Sequence, residues 1–164
     1  AASDVYKRQQ KYQGSYEMIA RFLDQYSSVS MLDKVNYWQQ VVFSWIIGNA
    51  DMHLKNFSLY SIREGHYVLC PTYDQVSTKI VMPEDTEEVA LSLNGFKKSL
   101  LVYDFREAMF STGLSEVVAN RILSGFAKFR DKWMVCIDNS FISDNQKEQY
   151  KKLIDHGLET LAEE

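Results

Sequence analysis

IIGNADMHLKNFSLY, Ile46 to Tyr60, opens as the apolar end of a helix and closes as a strand, with an Asp, a His, a Lys and an Asn packed into six residues between. Apolar flanks normally continue into more core, so polar residues at a helix-to-strand joint are the kind of interruption that chemistry produces. Upstream, Leu32, Val35, Trp38, Val42 and Trp45 recur every three or four residues while Val41, Phe43, Ile46 and Ile47 fill the other face. This predicts a helix from about Met31, buried toward its end, which Gly48 allows the chain to leave. Downstream, Phe57–Ile62 and His66–Leu69 are rich in β-branched and aromatic residues, and Arg63-Glu64-Gly65 between them reads as a hairpin loop. Pro71 ends the second strand.

The rest of the chain reads as helical. Ser15 is placed to cap a helix from Tyr16 to about Tyr26, broken by Ser27-Ser28-Val29-Ser30. Lys79 to Leu93 reads as irregular with one strand, its acidic run Glu84 to Glu88 as a solvated loop. A helix from Tyr103 to Thr112 is expected to be capped by Asp104 and closed by Gly113. From Ser115, Val118, Ile122, Phe126, Phe129, Trp133 and Cys136 mark one face of a long helix, read as core. A last helix is expected from about Asn145 to Leu161. The fold class is therefore mainly α with a small β hairpin.

At 164 residues, 46% hydrophobic and 24% charged, the chain fits one domain. A net charge of -4 and a pI near 5.4 argue against a general nucleic-acid or membrane-surface binder. Cys70 and Cys136 make neither a disulfide framework nor a zinc site, so a reducing cytoplasm is the default. The apolar run Val41–Ile47 falls far short of the roughly 20 residues that span a bilayer. The opening AASDVYKRQQ, residues 1–10, resembles a vector or adapter scar and is set aside as a non-native or disordered extension, which leaves 11–164 as a fragment domain.

Asp51 and Asn56 stand five residues apart, and Asp74 follows beyond the hairpin in Cys70-Pro71-Thr72-Tyr73-Asp74. In phosphoryl transfer from ATP, one Asp takes the proton of the acceptor hydroxyl, an Asn five residues on binds magnesium, and a second Asp binds metal bridging the phosphates. Taken alone, Asp51 reads more readily as a turn or cap residue than as a catalytic one. His53 could ligate a metal, but His66 and His156 are not placed to join it, and ordering of the loop is the better reading. Lys55 could reach a phosphate oxygen or lie in solvent.

Gly48-Asn49-Ala50-Asp51-Met52-His53-Leu54-Lys55-Asn56 and Pro71-Thr72-Tyr73-Asp74 resemble the two signatures of the HipA-like serine/threonine kinases, and Lys11 to Glu17 is similar to the segment that precedes them. The resemblance runs from about Lys11 onward. It implies the large, C-terminal lobe of a protein-kinase-like fold, with Asp51 as catalytic base, Asn56 and Asp74 as Mg2+ ligands toward ATP, and His53 and Lys55 as supporting loop residues. It also implies a cytoplasmic toxin–antitoxin component with a DNA-binding antitoxin as partner and a protein substrate, an aminoacyl-tRNA synthetase being one kind. The second acid departs from the eukaryotic Asp-Phe-Gly pattern, reading Asp74-Gln75-Val76, which tells against a eukaryotic-style mobile switch.

None of the seven glycines forms a Gly-rich phosphate loop, and no strand-borne Lys precedes the catalytic loop by the length of a small lobe. The nucleotide-binding N-terminal lobe is thus expected from further native sequence or from a companion subunit. Two other readings compete. One is a non-catalytic kinase lobe serving as a protein-binding module, against which the joint presence of Asp51, Asn56 and Asp74 weighs. The other is a metal-dependent hydrolase built on Asp51, His53 and Asp74, which would want more converging ligands.

Overall fold

The computed structural model describes residues 10–163. The expectation of an extension over residues 1–10 falls, apart from Gln10, outside them. Helix α1 (Tyr16–Tyr26) starts where Ser15 Oγ accepts the Met18 N–H at 3.2 Å, the side-chain cap that satisfies an otherwise orphaned donor. Helix α2 (Ser30–Ile46) is central and packs on α1, on the hairpin and on two later helices. Strands β1 (Leu59–Arg63) and β2 (His66–Leu69) pair antiparallel, with Leu59 opposite Leu69 and Tyr60 opposite Val68. Gly65 turns between them at φ 72.

Polar contacts fix the hairpin to the helices. Asp33 Oδ2 on α2 accepts the Leu69 N–H at 2.7 Å and the Ser27 hydroxyl at 2.6 Å, so the return strand is held against the helix that ends at the joint. Lys34 is buried and reaches Asp24 at 2.8 Å and the Thr112 carbonyl at 2.9 Å, which gives its charge the partners burial requires.

After a short helix α3 (Thr78–Val81) come α4 (Val102–Ser111), α5 (Glu116–Ser124), a 3₁₀ turn (Ala127–Phe129), α6 (Arg130–Asp138) and α7 (Asp144–Ala162). Two glycines matter for α2. At Gly48, φ +70, a Cβ would stand 2.5 Å from Leu153 Cδ2, and at Gly157 one would stand 3.3 Å from Ile46 Cα. Close approach of α7 to the end of α2 thus demands small residues at both places.

Four expectations are corrected. The helix from Ser115 is not continuous: at Gly125 it breaks into α5, the 3₁₀ turn and α6. The tighter 3₁₀ pitch takes the aromatic stripe out of register, so Ile122 is buried and Phe126 and Trp133 partly so, while Phe129 and Cys136 reach the surface. Lys79 to Leu93 forms no strand. Val89, Ala90, Leu91 and Leu93 are all buried between layers, with only isolated bridges from Ser92 to Ser15 and from Leu93 to Phe96. Glu88 leaves the solvated acidic run: it accepts from Trp45 Nε1 at 2.9 Å and from the Ser99 N–H at 2.6 Å. Asp104 lies inside the first turn of α4 rather than at its cap, and accepts the Leu101 N–H at 2.9 Å.

The core runs along α2 through Tyr37, Trp38, Val42 and Ile46 to Phe105 of α4. Phe105 is fully buried and meets Trp45 edge-on at 5.0 Å. Phe105→Ala should destabilise the fold by about 3–5 kcal/mol. Urea denaturation checks this, and a loss under about 1 kcal/mol would mean the site collapses around the missing ring.

Candidate active site

The joint after α2 is built from backbone hydrogen bonds. Gly48 N–H donates to the Trp45 carbonyl at 3.0 Å and Asn49 N–H to the Ser44 carbonyl at 2.8 Å, closing the helix. Thr78 Oγ1 then accepts from the Ala50 N–H at 2.8 Å and donates to the Gly48 carbonyl at 3.2 Å, tying the loop to α3. Tyr16 Oη donates to the Met52 carbonyl at 2.9 Å from the buried face of α1. Leu54–Asn56 forms a 3₁₀ turn, and Asn56 Oδ1 accepts the His53 N–H at 3.0 Å. The polar loop is therefore tied by hydrogen bonds to α1, to α3 and to the end of α2.

Asn56 is buried and donates through Nδ2 to Asp74 Oδ2 at 2.7 Å. The hairpin thus returns Asp74 to the loop, and Asp74 does so at φ 55, a left-handed conformation that Asp tolerates better than most residues. Tyr73 Oη donates to the Lys55 carbonyl at 2.8 Å and fixes the approach. Asn49 is a link that the spacing of the motif does not single out. Its Oδ1 accepts the Asp51 N–H at 3.2 Å and its Nδ2 donates to the Asp74 carbonyl at 3.1 Å, so one buried amide sets Asp51 relative to Asp74.

Asp51 is half-exposed. Its Oδ1 accepts the Tyr12 hydroxyl at 2.7 Å and lies 3.9 Å from Lys11 Nζ, and its Oδ2 lies 4.0 Å from His53 Nε2. It opens on a cleft of about 490 Å³ walled by Tyr12, Thr78, Met82, Asp85, Glu87 and Lys97. Among the described residues Asp51 has no hydrogen bond to Asn56 or Asp74. The structure brings those two into contact, with Asp51 joined to them through Asn49. His53 is buried, and burial first, then Lys11, pushes its imidazole below the usual pKa against the pull of Asp51 and Asp74. Neutral at pH 7, it is a poor partner for an anion and a good spacer between two carboxylates. Lys55 is exposed.

Lys11, Tyr12 and Thr78 also belong to this neighbourhood. Lys11 and Tyr12 lie in the segment that carries part of the resemblance, but no local signal shows their contact with Asp51, because Tyr12 meets it across 39 positions of chain. An apolar cavity of about 280 Å³ between Phe43, Ile47, Trp133 and Ile154 shares no wall residue with the site. Among the described residues no group of three His, Cys, Asp or Glu side chains converges to hold a metal, which removes the ligand set that the hydrolase reading wanted.

The chain is similar to two curated proteins named "Putative kinase". One, from Haemophilus influenzae, is 29% identical over 115 residues, covering 70% of this chain and 32% of that protein. The other, Y4dM from Sinorhizobium fredii, is 40% identical over 85 residues, covering 52% of this chain and 20% of that protein. Among solved structures, HipA of Shewanella oneidensis MR-1, from a toxin–antitoxin complex with HipB and operator DNA, superposes with a TM-score of 0.72 at 18% identity. That match covers 90% of this chain and 35% of HipA, so the fold is that of a segment of HipA, a kinase-like fold. The chain spans about a third or less of the length of each of these proteins. The HipA-like C-terminal domain model matches residues 2–133, the stretch that contains the joint, the hairpin and Asp74, and the chain belongs to that family.

Proposed function

We propose that this chain is the large lobe of a protein serine/threonine kinase, moving the γ-phosphate of ATP to a protein hydroxyl. The observation that carries this reading is the 2.7 Å contact between Asn56 and Asp74, with Asp51 held to the same unit through Asn49. Asn56 and Asp74, separated in sequence by the hairpin, meet directly, and Asp51 is joined to Asp74 through the Asn49 amide.

The donor set fits magnesium. Mg2+ prefers hard oxygen ligands and is held by one or two protein groups together with substrate phosphates and water, not by an all-protein cage. Asp74 presents an exposed carboxylate, and the Asn56 amide stands beside it with Nδ2 on Asp74 Oδ2 and Oδ1 on the His53 N–H. Asp74 would thus be the direct ligand, and Asn56 would join it through Oδ1 by giving up that backbone hydrogen bond. Bound Mg-ATP supplies the transferable phosphoryl group and neutralises the charge on its phosphates. Asp51 receives the proton of the acceptor hydroxyl in the cleft. His53 stays neutral and spaces the two acids, and exposed Lys55 is free to approach a phosphate oxygen.

The nucleotide-covering lobe lies in further native sequence or in a companion subunit, in keeping with the glycine pattern. An antitoxin of the HipB kind and a protein substrate such as an aminoacyl-tRNA synthetase complete the proposal, in a cytoplasmic setting. Among the described residues no helix is long and apolar enough to cross a membrane.

Most of this catalysis comes from positioning. The chain by itself should therefore bind Mg-ATP only weakly and turn over little of it. Calorimetric titration of the purified chain tests this, and micromolar affinity would overturn the assignment of the nucleotide roof to a separate lobe. Transfer of phosphate from ATP to a protein acceptor by the parent enzyme, meaning this chain together with that lobe, tests the function itself.

A further inference from the structure

Lys11 and Tyr12 close over Asp51 from the start of the described chain. Tyr12 donates to Oδ1 at 2.7 Å, and Lys11 Nζ stands 3.9 Å from the same oxygen. Both are anchored to the loop they touch. The Lys11 carbonyl accepts the Leu54 N–H at 3.2 Å, the Tyr12 ring meets His53 edge-on at 5.4 Å, and Lys11 Nζ lies 4.5 Å from the centre of the Tyr12 ring. Oδ1 is thus engaged by the Tyr12 hydroxyl with the Lys11 ammonium nearby, and Oδ2 is left beside His53 Nε2 without a hydrogen bond among the described residues.

A general base works only when its free oxygen points along the line of proton transfer, and a half-exposed carboxylate with no tether samples several rotamers. We propose that Lys11 and Tyr12 are positioning residues for Asp51, which hold Oδ1 so that Oδ2 faces the acceptor hydroxyl. The inference rests on the kinase reading and deepens it. A mobile plug occupying the base would be expected to stand apart from the loop. The segment is instead fixed to it by the Lys11 carbonyl on the Leu54 N–H and by the Tyr12 ring on His53, and Tyr12 shares the walls of the cleft with Asp51. Burial first, and the Asp51 carboxylate as well, keep the Tyr12 phenol above its usual pKa, so it remains a donor at neutral pH.

Tyr12→Phe keeps the ring and its contacts and removes only the hydroxyl. In the parent enzyme it should lower kcat about tenfold and leave the KM for ATP unchanged, because misorientation acts on the transition state and not on nucleotide binding. Lys11→Met should act in the same direction. The decisive readout is coupling: on an Asp51→Asn background Tyr12→Phe should cost nothing further, since a tether has no effect once the base is gone. An independent twofold or larger loss on that background would assign Tyr12 a structural role and overturn the proposal. So would an unchanged or raised kcat in the single variant, the latter marking a lock.

The outcome is separable from that of the kinase reading. If Asp51→Asn leaves transfer intact, the reading fails; if Asp51→Asn disables and Tyr12→Phe does not, only the positioning role fails. A second measurement needs no activity. The Tyr12 transition, isolated from the other tyrosines as the difference between the unmodified chain and Tyr12→Phe, should titrate above the ordinary 10.0 and move down in Asp51→Asn. Asp85, Glu87 and Lys97 across the cleft are unchanged in that comparison. No movement would mean that the clasp is not formed in solution, and would overturn the proposal whatever the enzyme does.

Discussion

Asp51→Asn in the parent enzyme is expected to cut phosphate transfer by roughly 100- to 10,000-fold, the range for loss of a positioned general base. The substitution keeps size and an oxygen that still accepts the 2.7 Å hydrogen bond of Tyr12. It removes only the charge that takes the proton. The half-exposed ion pair with Lys11 at 3.9 Å contributes little to stability, below about 1 kcal/mol, so the variant should fold. Circular dichroism alongside phosphate transfer to a protein acceptor makes the check. Full activity in a folded Asp51→Asn enzyme would remove the central claim and leave a protein-binding lobe in its place.

Asp74→Asn should disable by another route. Asn tolerates the left-handed backbone at φ 55 as well as Asp does, so the conformation survives and the loss is confined to the carboxylate. A hard divalent cation bound to one carboxylate and one amide loses most of its electrostatic hold when the carboxylate becomes an amide. Apparent magnesium affinity should fall about tenfold to 100-fold. Activity should then recover in part as magnesium is raised, whereas Asp51→Asn stays inactive at every magnesium concentration. Equal responses of the two variants to magnesium would mean that the two acids do not have separate roles.

The two substitutions differ because the fold gives the acids different surroundings. Asp51 has a hydroxyl and an ammonium on one oxygen and a neutral, buried imidazole near the other. Asp74 has the amide of a buried Asn and open solvent. Their spacing depends on Asn49, whose two ends hold the backbone of each. Asn49 lies in the quoted stretch, but its position before Asp51 says nothing of a contact 25 positions further on.

Local signals carried well where one element decides its own fate. Ser15 followed by an apolar period fixed the start of α1, the all-round apolar run of α2 marked its buried end, and Gly65 between two β-rich segments placed the hairpin turn. They failed where a break is set by packing. The stripe from Val118 to Cys136 has one period, but Gly125 and the 3₁₀ turn split it, and only the neighbouring helices decide which part stays covered. The one strand expected within Lys79 to Leu93 did not form, since a strand needs a partner that the sequence of a single segment does not reveal.

The sequence by itself determined the family and the mainly helical class with its hairpin, and it singled out positions 51, 56 and 74 as the candidate site, because a loop motif of fixed spacing is a local pattern. Tertiary structure alone decided that Asn56 and Asp74 touch, that Asn49 sets Asp51 against Asp74, and that Tyr12, 39 positions away, and its neighbour Lys11 reach Asp51. The reason is physical. A hydrogen bond between distant residues exists only when the core formed by α1, α2 and the hairpin brings their backbones within about 3 Å reach of side chains, and no local propensity encodes that distance.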